Sequence, residues 1–346
     1  MSRIDPNPVE NQIRPKSVTM EAIGKLAGVH SRTVADALKG TGRVAPATRE
    51  KVLRIAKELN YVPNAAARAL ATGRTGTIAV LSGPLNESYY ANMLHELELH
   101  LTANGYEITL LHTRRDVPDL LQATQASLVD GVIVIGSDHF PAEFLRVRGR
   151  TAQPCVLIDT ANPDYADHIT LDLRPAVEGA LRLMLQAGRR RIAYVANNRD
   201  AAAHTEIRMA TYLEIMRETN RTPEIIDVNT RTRPEERVLA IQSYLQQKGC
   251  PDALLCQNDE TAIYTYRAVT ASGFRIPDNA LLVGCDGLPY MEYFETPLST
   301  IALPTEEICA RAVRFLQQRI DTPDAPRQQT TLQGRLIVRE SLLSAA

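Results

Sequence analysis

Residues 28–40 read GVHSRTVADALKG. Val34, Ala37 and Leu38 fall on one stripe of a short helix, while Ser31, Arg32, Ala35 and Asp36 point away from it. The helix follows a tight Ala-Gly-Val turn and shows an arginine, a serine and a carboxylate to the outside. Upstream, Thr19 is placed to cap a helix whose inner face is Met20, Ile23, Leu26 and Ala27, and Gly28 closes it. Downstream, GTGRVAP at 40–46 reads as a loop, and Thr48 is placed to cap a third helix with Val52, Ile55, Ala56 and Leu59 inward. Two helices joined by a tight turn, the second with a polar outer face, form a helix-turn-helix. Its second helix fits a DNA major groove about 12 Å wide. A helix pair is also a common structural unit, so these residues alone leave DNA binding open.

Charge separates the chain into a head and a body. Residues 1–76 hold 13 Lys+Arg against 6 Asp+Glu, and the remainder holds 26 against 34, which together give the overall −1. A basic head on an acidic body points to a polyanion partner for the head. No apolar run approaches the roughly 20 residues of a membrane span. The first 17 residues, MSRIDPNPVENQIRPKS, have no apolar core of the secretory type and are expected to form a disordered polar arm. The five cysteines, at 155, 250, 256, 285 and 309, include no CxxC pair and sit mostly in apolar runs, which fits buried thiols in a reducing compartment.

From Thr77 the pattern changes to apolar, β-branched runs alternating with amphipathic helices. Strands are expected at 77–81, 107–111, 131–136, 154–159, 191–196, 224–228, 253–257, 281–286 and 299–303. Helices are expected at 89–103, 175–187, 208–219, 235–248 and 259–272. Continuous apolar strands separated by helices make parallel sheets covered on both faces. Two doubly wound lobes account for the length better than one sheet, and each opens a ligand crevice at its strand carboxyl ends. Between head and body, PNAAARALATG at 63–73 could start a further helix, one too short and too unpacked to be stable alone.

From Val18 to Leu81 the chain resembles the lactose-repressor/galactose-repressor (LacI) family of bacterial transcription regulators. The matching elements are TMEAIGKLAGV, then Thr33-Val34, then V-x-x-x-T-R-E-K-V at 44–52, ELNYVPNAAARAL at 58–70 and GTIAVL at 76–81. Weaker matches continue in DGVIVIG, LIDT, RIAYVA, CQNDE, IPDNALLVGCD and STIALP. The resemblance implies an all-α helix-turn-helix head with a hinge helix, and an α/β body like a periplasmic sugar-binding protein. The implied division is an arm at 1–17, a DNA-binding domain at 18–62, a hinge at 63–76 and a body at 77–346. Within the body it puts 77–173 and 304–328 in one lobe, 174–300 and 329–346 in the other.

The resemblance also implies site residues. Base reading falls to Ser31 and Arg32, with Thr33 and Asp36 beside them and Thr19 at the start of the first helix. Arg32 can donate twice to a guanine. Asp36 and His30 depart from the family pattern, and Asp36 could instead pair with Arg32. In the hinge, Asn64, Ala67, Arg68 and Leu70 meet the minor groove, Leu70 as a wedge between bases, unless Leu70 packs on the body. In the interlobe cleft, Tyr89, Tyr90, Asp159, Arg208, Asn258 and Asp286 offer a polyol site of aromatic faces, carboxylates, an amide and a guanidinium. Asn258 and Asp259 could equally cap the following helix. Cys285 and the loop NNRDAAAHTE at 197–206 are atypical. The chain lacks GxSxG, P-loop and GxGxxG motifs and a metal-spaced histidine cluster, so no enzyme, cofactor or metal is expected. The expected protein is a cytoplasmic regulator, a repressor, binding operator DNA as a homodimer or tetramer under a small sugar-like effector. A nucleoside or protein co-effector is the alternative.

Overall fold

The computed structural model describes residues 18–61, 73–111, 129–136, 153–159, 166–197, 206–228 and 233–343. The chain divides into two units, Met1–Gly73 and Arg74–Ala346. Asn64, Ala67, Arg68 and Leu70, and the arm at 1–17, lie outside the described residues.

The head contains α1 (Met20–Ala27), α2 (Ser31–Lys39) and α3 (Pro46–Glu58). Thr19 does cap α1, its hydroxyl accepting from the Ala22 N–H at 3.2 Å. Gly28 ends the helix in the left-handed region, at φ 74°. Gly24 sets how tightly the chain turns: a Cβ there would stand 2.6 Å from the Val29 carbonyl oxygen. Ile23, Ala27, Val34, Ala37, Val52, Ile55 and Ala56 form the core. Two sequence expectations fail locally. Helix α3 starts at Pro46, so Thr48 sits in its first turn and does not cap it; proline's missing N–H and fixed φ suit that first position. Leu26, expected inward, is 60% exposed, because three short helices cover only one side of α1.

The body has two six-stranded sheets. The first runs in the order β11-β5-β4-β3-β1-β2, with β1 Thr77–Leu81, β2 Glu107–Leu111, β3 Gly131–Ile135, β4 Cys155–Ile158, β5 Asp167–Asp172 and β11 Gln329–Gln333. The second runs β12-β10-β9-β8-β6-β7, with β6 Ile192–Ala196, β7 Glu224–Asp227, β8 Ala253–Cys256, β9 Leu281–Asp286, β10 Ser299–Ala302 and β12 Arg335–Ile337. All pairings are parallel except β10 with β12. Helices α4 (Ser88–Ala103) and α9 (Thr305–Asp321) cover the first sheet. Helices α5 (Arg174–Gln186) and α6 (Ile207–Glu218) cover one face of the second. Helices α7 (Pro234–Lys248) and α8 (Asp259–Ala271) cover its other face.

The chain passes between the lobes after β5, after β10 and at Gly334. The third passage is later than the sequence suggests: Gln329–Gln333 pairs with β5 and belongs to the first lobe, so the boundary after 328 moves to Gly334. The three passages touch. A Cβ on Gly334 would lie 2.7 Å from Leu173 Cδ2 of the first passage and 3.2 Å from Ile301 Cγ2 of β10, just before the second.

Strand β5 is held by a buried ion pair. The Asp167 side chain, 1% exposed, accepts from Arg319 Nε at 2.9 Å and Nη2 at 2.8 Å. It also accepts from the Gln328 N–H at 2.8 Å, which fixes the approach of β11. Replacing Arg319 by Ala leaves that carboxylate buried and unpaired, at a cost of about 3–5 kcal/mol. Urea unfolding followed by circular dichroism should show this loss for Arg319→Ala; an unchanged midpoint would mean that water or Gln328 alone satisfies Asp167.

Candidate DNA-binding face and effector cleft

In the head, α2 turns Val34 and Ala37 into the core and leaves Ser31 and Arg32 exposed. Thr33 and Asp36 are half-buried. His30 precedes α2 in extended conformation and contributes no side-chain cap, and the first turn holds no acidic residue. Its N–H groups and the Arg32 guanidinium are therefore placed to receive phosphate or base-edge acceptors. Asp36 lies over the loop that follows: the position of a Cβ on Gly42 is 3.0 Å from the Asp36 carboxyl carbon. Its backbone carbonyl accepts from Thr41 at 3.1 Å. Arg49 of α3 reaches the same loop, donating to the Thr41 carbonyl at 3.2 Å. The loop after α2 is thus fixed from both sides, and no Asp36–Arg32 ion pair occurs among the described residues.

In the first lobe, Tyr89 and Tyr90 stand in the first turn of α4, their rings edge to face at 4.9 Å. They face differently. Tyr90 is buried against Gly83 and Gly136, where a Cβ would come within 2.5 Å and 2.8 Å of its ring, so it backs the site as core. The Tyr89 hydroxyl is buried with no hydrogen-bond partner among the described residues, and so is Ser82 Oγ, just past the end of β1. Burial pushes the Tyr89 phenol up; Asp159 and, more weakly, Asp286 push the same way, against Arg208. Charges from both lobes therefore converge on this ring. Asp159 follows β4 at φ 57° and Asp286 ends β9 at φ 130°. Both are non-glycine residues in a sparsely populated backbone region, at the strand ends where the crevice opens.

In the second lobe, Arg208 is in the first turn of α6 and pairs with Glu206, Nε to Oε1, at 2.6 Å. Burial pushes the Asp286 carboxyl up, and Asp259 adds to this, while Arg208 opposes. Asp259 is fully buried. It accepts from the Gly287 and Leu288 N–H groups at 2.9 Å and 2.7 Å and from Thr300 Oγ1 at 2.7 Å. Burial holds its carboxyl up at about 6. Those bonds fix the loop immediately after Asp286, so Asp259 works behind the cleft. Asn258 caps α8: its Oδ1 accepts from Thr261 N at 2.9 Å and Oγ1 at 2.6 Å.

Across the cleft, Glu260 of α8 accepts from Ser88 N at 2.9 Å and Ser88 Oγ at 3.1 Å, and the Tyr290 hydroxyl donates to Ser88 Oγ at 2.7 Å. A carboxylate of one lobe thereby caps a helix of the other. Where the chain enters the body, Asp130 accepts from Thr75 N at 2.6 Å, Thr75 Oγ1 at 2.9 Å and Gly76 N at 2.8 Å. Arg74 donates to Asp321 at 2.8 Å.

Residues 19–64 match the family model described as bacterial regulatory proteins, lacI family, and residues 181–342 match a periplasmic binding protein-like domain. The chain is 31% identical over 333 residues to the ribose operon repressor of Haemophilus influenzae, covering 94% of this chain and 99% of the relative. The chain belongs to the LacI family of bacterial regulatory proteins. It is 27% identical over 342 residues to the HTH-type transcriptional repressor PurR of Mannheimia succiniciproducens, covering 95% and 99% of the two chains. The crystal structure of the Lac repressor dimer bound to operator and an anti-inducer superposes with a TM-score of 0.78 at 22% identity, covering 95% of this chain and all of that one. These relatives are regulators, and this LacI-family chain is not an enzyme.

The cleft thus gathers Tyr89, Asp159, Arg208 and Asp286, while Tyr90 and Asp259 support it from behind. Sequence reading missed Glu206, Ser82 and the Ser88–Glu260–Tyr290 bridge. Glu206 was legible as an acidic residue just before a helix, but the bridge joins positions 172 and 202 residues apart. Removing the Ser88 and Tyr290 hydroxyls takes away two interlobe hydrogen bonds, each contributing about 0.5–1.5 kcal/mol. In Ser88→Ala/Tyr290→Phe, small-angle scattering of the unliganded protein should give a larger radius of gyration; an unchanged radius would mean that other contacts hold the lobes together.

Proposed function

We propose that the protein is a sequence-specific transcriptional repressor that binds a palindromic operator as a dimer, in the cytoplasm, and changes its operator affinity when a small polyol fills the interlobe cleft. The observation that carries this is one chain holding both a helix-turn-helix with Arg32 exposed on its second helix and a two-lobed cleft whose buried Tyr89 hydroxyl, unpartnered among the described residues, is met by charges from both lobes. The curated relative named a ribose operon repressor, matched over nearly its whole length, supports both halves.

Arg32 reads a guanine through two parallel donors, and Ser31 and Thr33 contact base or phosphate nearby. Thr19 spends its hydroxyl lone pair on the cap and keeps its O–H for phosphate. Asp36 braces the following loop. In the hinge, Asn64, Ala67 and Arg68 follow the minor groove and Leu70 unstacks the central step, with the bend offset by wider contact. In the cleft, Arg208 and Tyr89 donate to ligand hydroxyls, and Asp159 and Asp286 accept from them. Asn258 offers its amide N–H groups, its oxygen being committed to the cap. A ligand touching both lobes favours one lobe orientation. The Asp130 clamp on Thr75 and Gly76 ties the start of the body to the first lobe, so a shift of that lobe moves the attachment point of the hinge. Coupling of about 1–3 kcal/mol would change operator affinity roughly 5- to 150-fold.

An operator selected from random DNA, with binding followed by fluorescence anisotropy, tests this. Arg32→Ala should lose about 1–3 kcal/mol on the selected operator and little on random DNA. Equal losses on both would make Arg32 a phosphate contact. Leu70→Ala should weaken specific binding and leave effector affinity unchanged. Asp286→Ala should keep operator binding without effector and abolish the response to it; a response like that of the wild type would remove Asp286 from the site.

A further inference from the structure

Glu206 stands directly in front of α6 and fills both of its oxygens from inside the protein. Oε1 accepts from the Arg208 N–H at 3.0 Å and from Arg208 Nε at 2.6 Å. Oε2 accepts from the Met209 N–H at 2.9 Å and from the Tyr194 hydroxyl at 3.0 Å. Burial alone would push this carboxyl up, but the Arg208 charge and the two backbone N–H groups outweigh it and hold the group below its ordinary value. It is therefore an anion at neutral pH. The N-terminus of a helix, with its free N–H groups and positive dipole end, is a natural seat for a ligand phosphate or carboxylate. Here the seat is taken by the chain's own carboxylate, and the charge of Arg208 is matched by the same group. The other charged groups acting on Tyr89 are the carboxylates of Asp159 and Asp286. An entering anion would meet no uncompensated positive charge among the described residues of the cleft. A hydroxyl needs none: it requires donors, which the remaining guanidinium N–H groups and Tyr89 supply, and acceptors, which the two aspartates supply.

We infer that Glu206 is a specificity-determining residue that restricts the cleft to uncharged polyols and excludes their phosphorylated and acidic counterparts. This rests on the cleft being the effector site.

The test uses the full-length protein, with thermal shift and calorimetry as readouts. The probes are inorganic phosphate and matched pairs: D-ribose with ribose 5-phosphate, and D-glucose with glucose 6-phosphate and gluconate. The wild type should be unaffected by millimolar phosphate and should prefer the neutral member of any pair it binds. Glu206→Gln, which keeps the shape and one acceptor oxygen, should gain phosphate binding and shift the ratio toward the anion roughly tenfold or more, the effect of one charge removed nearby. Glu206→Ser, which keeps a capping oxygen and empties the seat, should behave alike and covers the case in which Glu206→Gln misfolds. Adding Arg208→Gln should abolish the gain. The inference is overturned if the wild type binds phosphate as tightly as the variants, or binds a phosphorylated or acidic sugar more tightly than its neutral partner. If no sugar of either kind binds the wild type, the polyol reading of the cleft fails, while the phosphate comparison still decides the role of Glu206.

Discussion

Three strands of backbone join the two lobes, and they are packed against one another. Gly334 sits between Leu173 and Ile301 so closely that a Cβ there would crowd both side chains. Its N–H donates to the Asp172 carbonyl at 3.1 Å, which ties the third passage to the first. Leu303, in the second passage, donates to the Asp286 carbonyl at 3.3 Å. A body joined at one point could take any relative orientation of its lobes. Three passages bound together leave little but rotation about their common line, which is hinge motion. Asp286 is bonded to that line through its backbone while its side chain looks into the cleft. In the proposed effector site it would link ligand contact to lobe rotation.

Buried carboxylates do the remaining fixing, and they divide by what they hold. Asp167 and Asp259 are almost wholly withdrawn from water and spend their oxygens on the chain itself: one aligns β11 beside β5, the other sets the loop behind Asp286. Burying an acid is unfavourable unless its acceptors are filled. Asp167 meets that condition with a guanidinium and stays an ordinary ion pair. Asp259 meets it with backbone N–H groups and a hydroxyl, which pull its carboxyl down, but burial outweighs them and holds it up at about 6.

The apolar strands were legible because burial on both sheet faces leaves an uninterrupted run of Val, Ile and Leu. All nine expected strands are present, within a residue or two of their ends. Strand β5, DHITLD, escaped because its buried residues include the polar His168 and Asp167, whose partner Arg319 is remote in sequence. Strand β11, QTTLQ, lies at an edge and buries only Leu332, so its polar sequence gives no signal. Helix α9 did carry a readable stripe, Ile308, Ala312, Val313 and Leu316, that the strand-led pattern passed over. In the cleft, strand-end aspartates could be placed from topology, but Tyr90 could not be told from Tyr89. Adjacent helical residues diverge by 100°, and which one faced inward depended on Gly83 and Gly136.

The internal pairing of Glu206 with Arg208 has a consequence for how the two ends of the protein feel their medium. A head that neutralises phosphates displaces counterions, and its grip falls steeply as salt rises. A cleft that recognises hydroxyls with its strongest charge already balanced displaces none, and little of its field reaches far enough to be screened. On the proposed polyol reading of the cleft, ionic strength acts on the DNA contact and leaves the metabolite contact alone, so one molecule would report two variables, salt and effector, through separate physical channels.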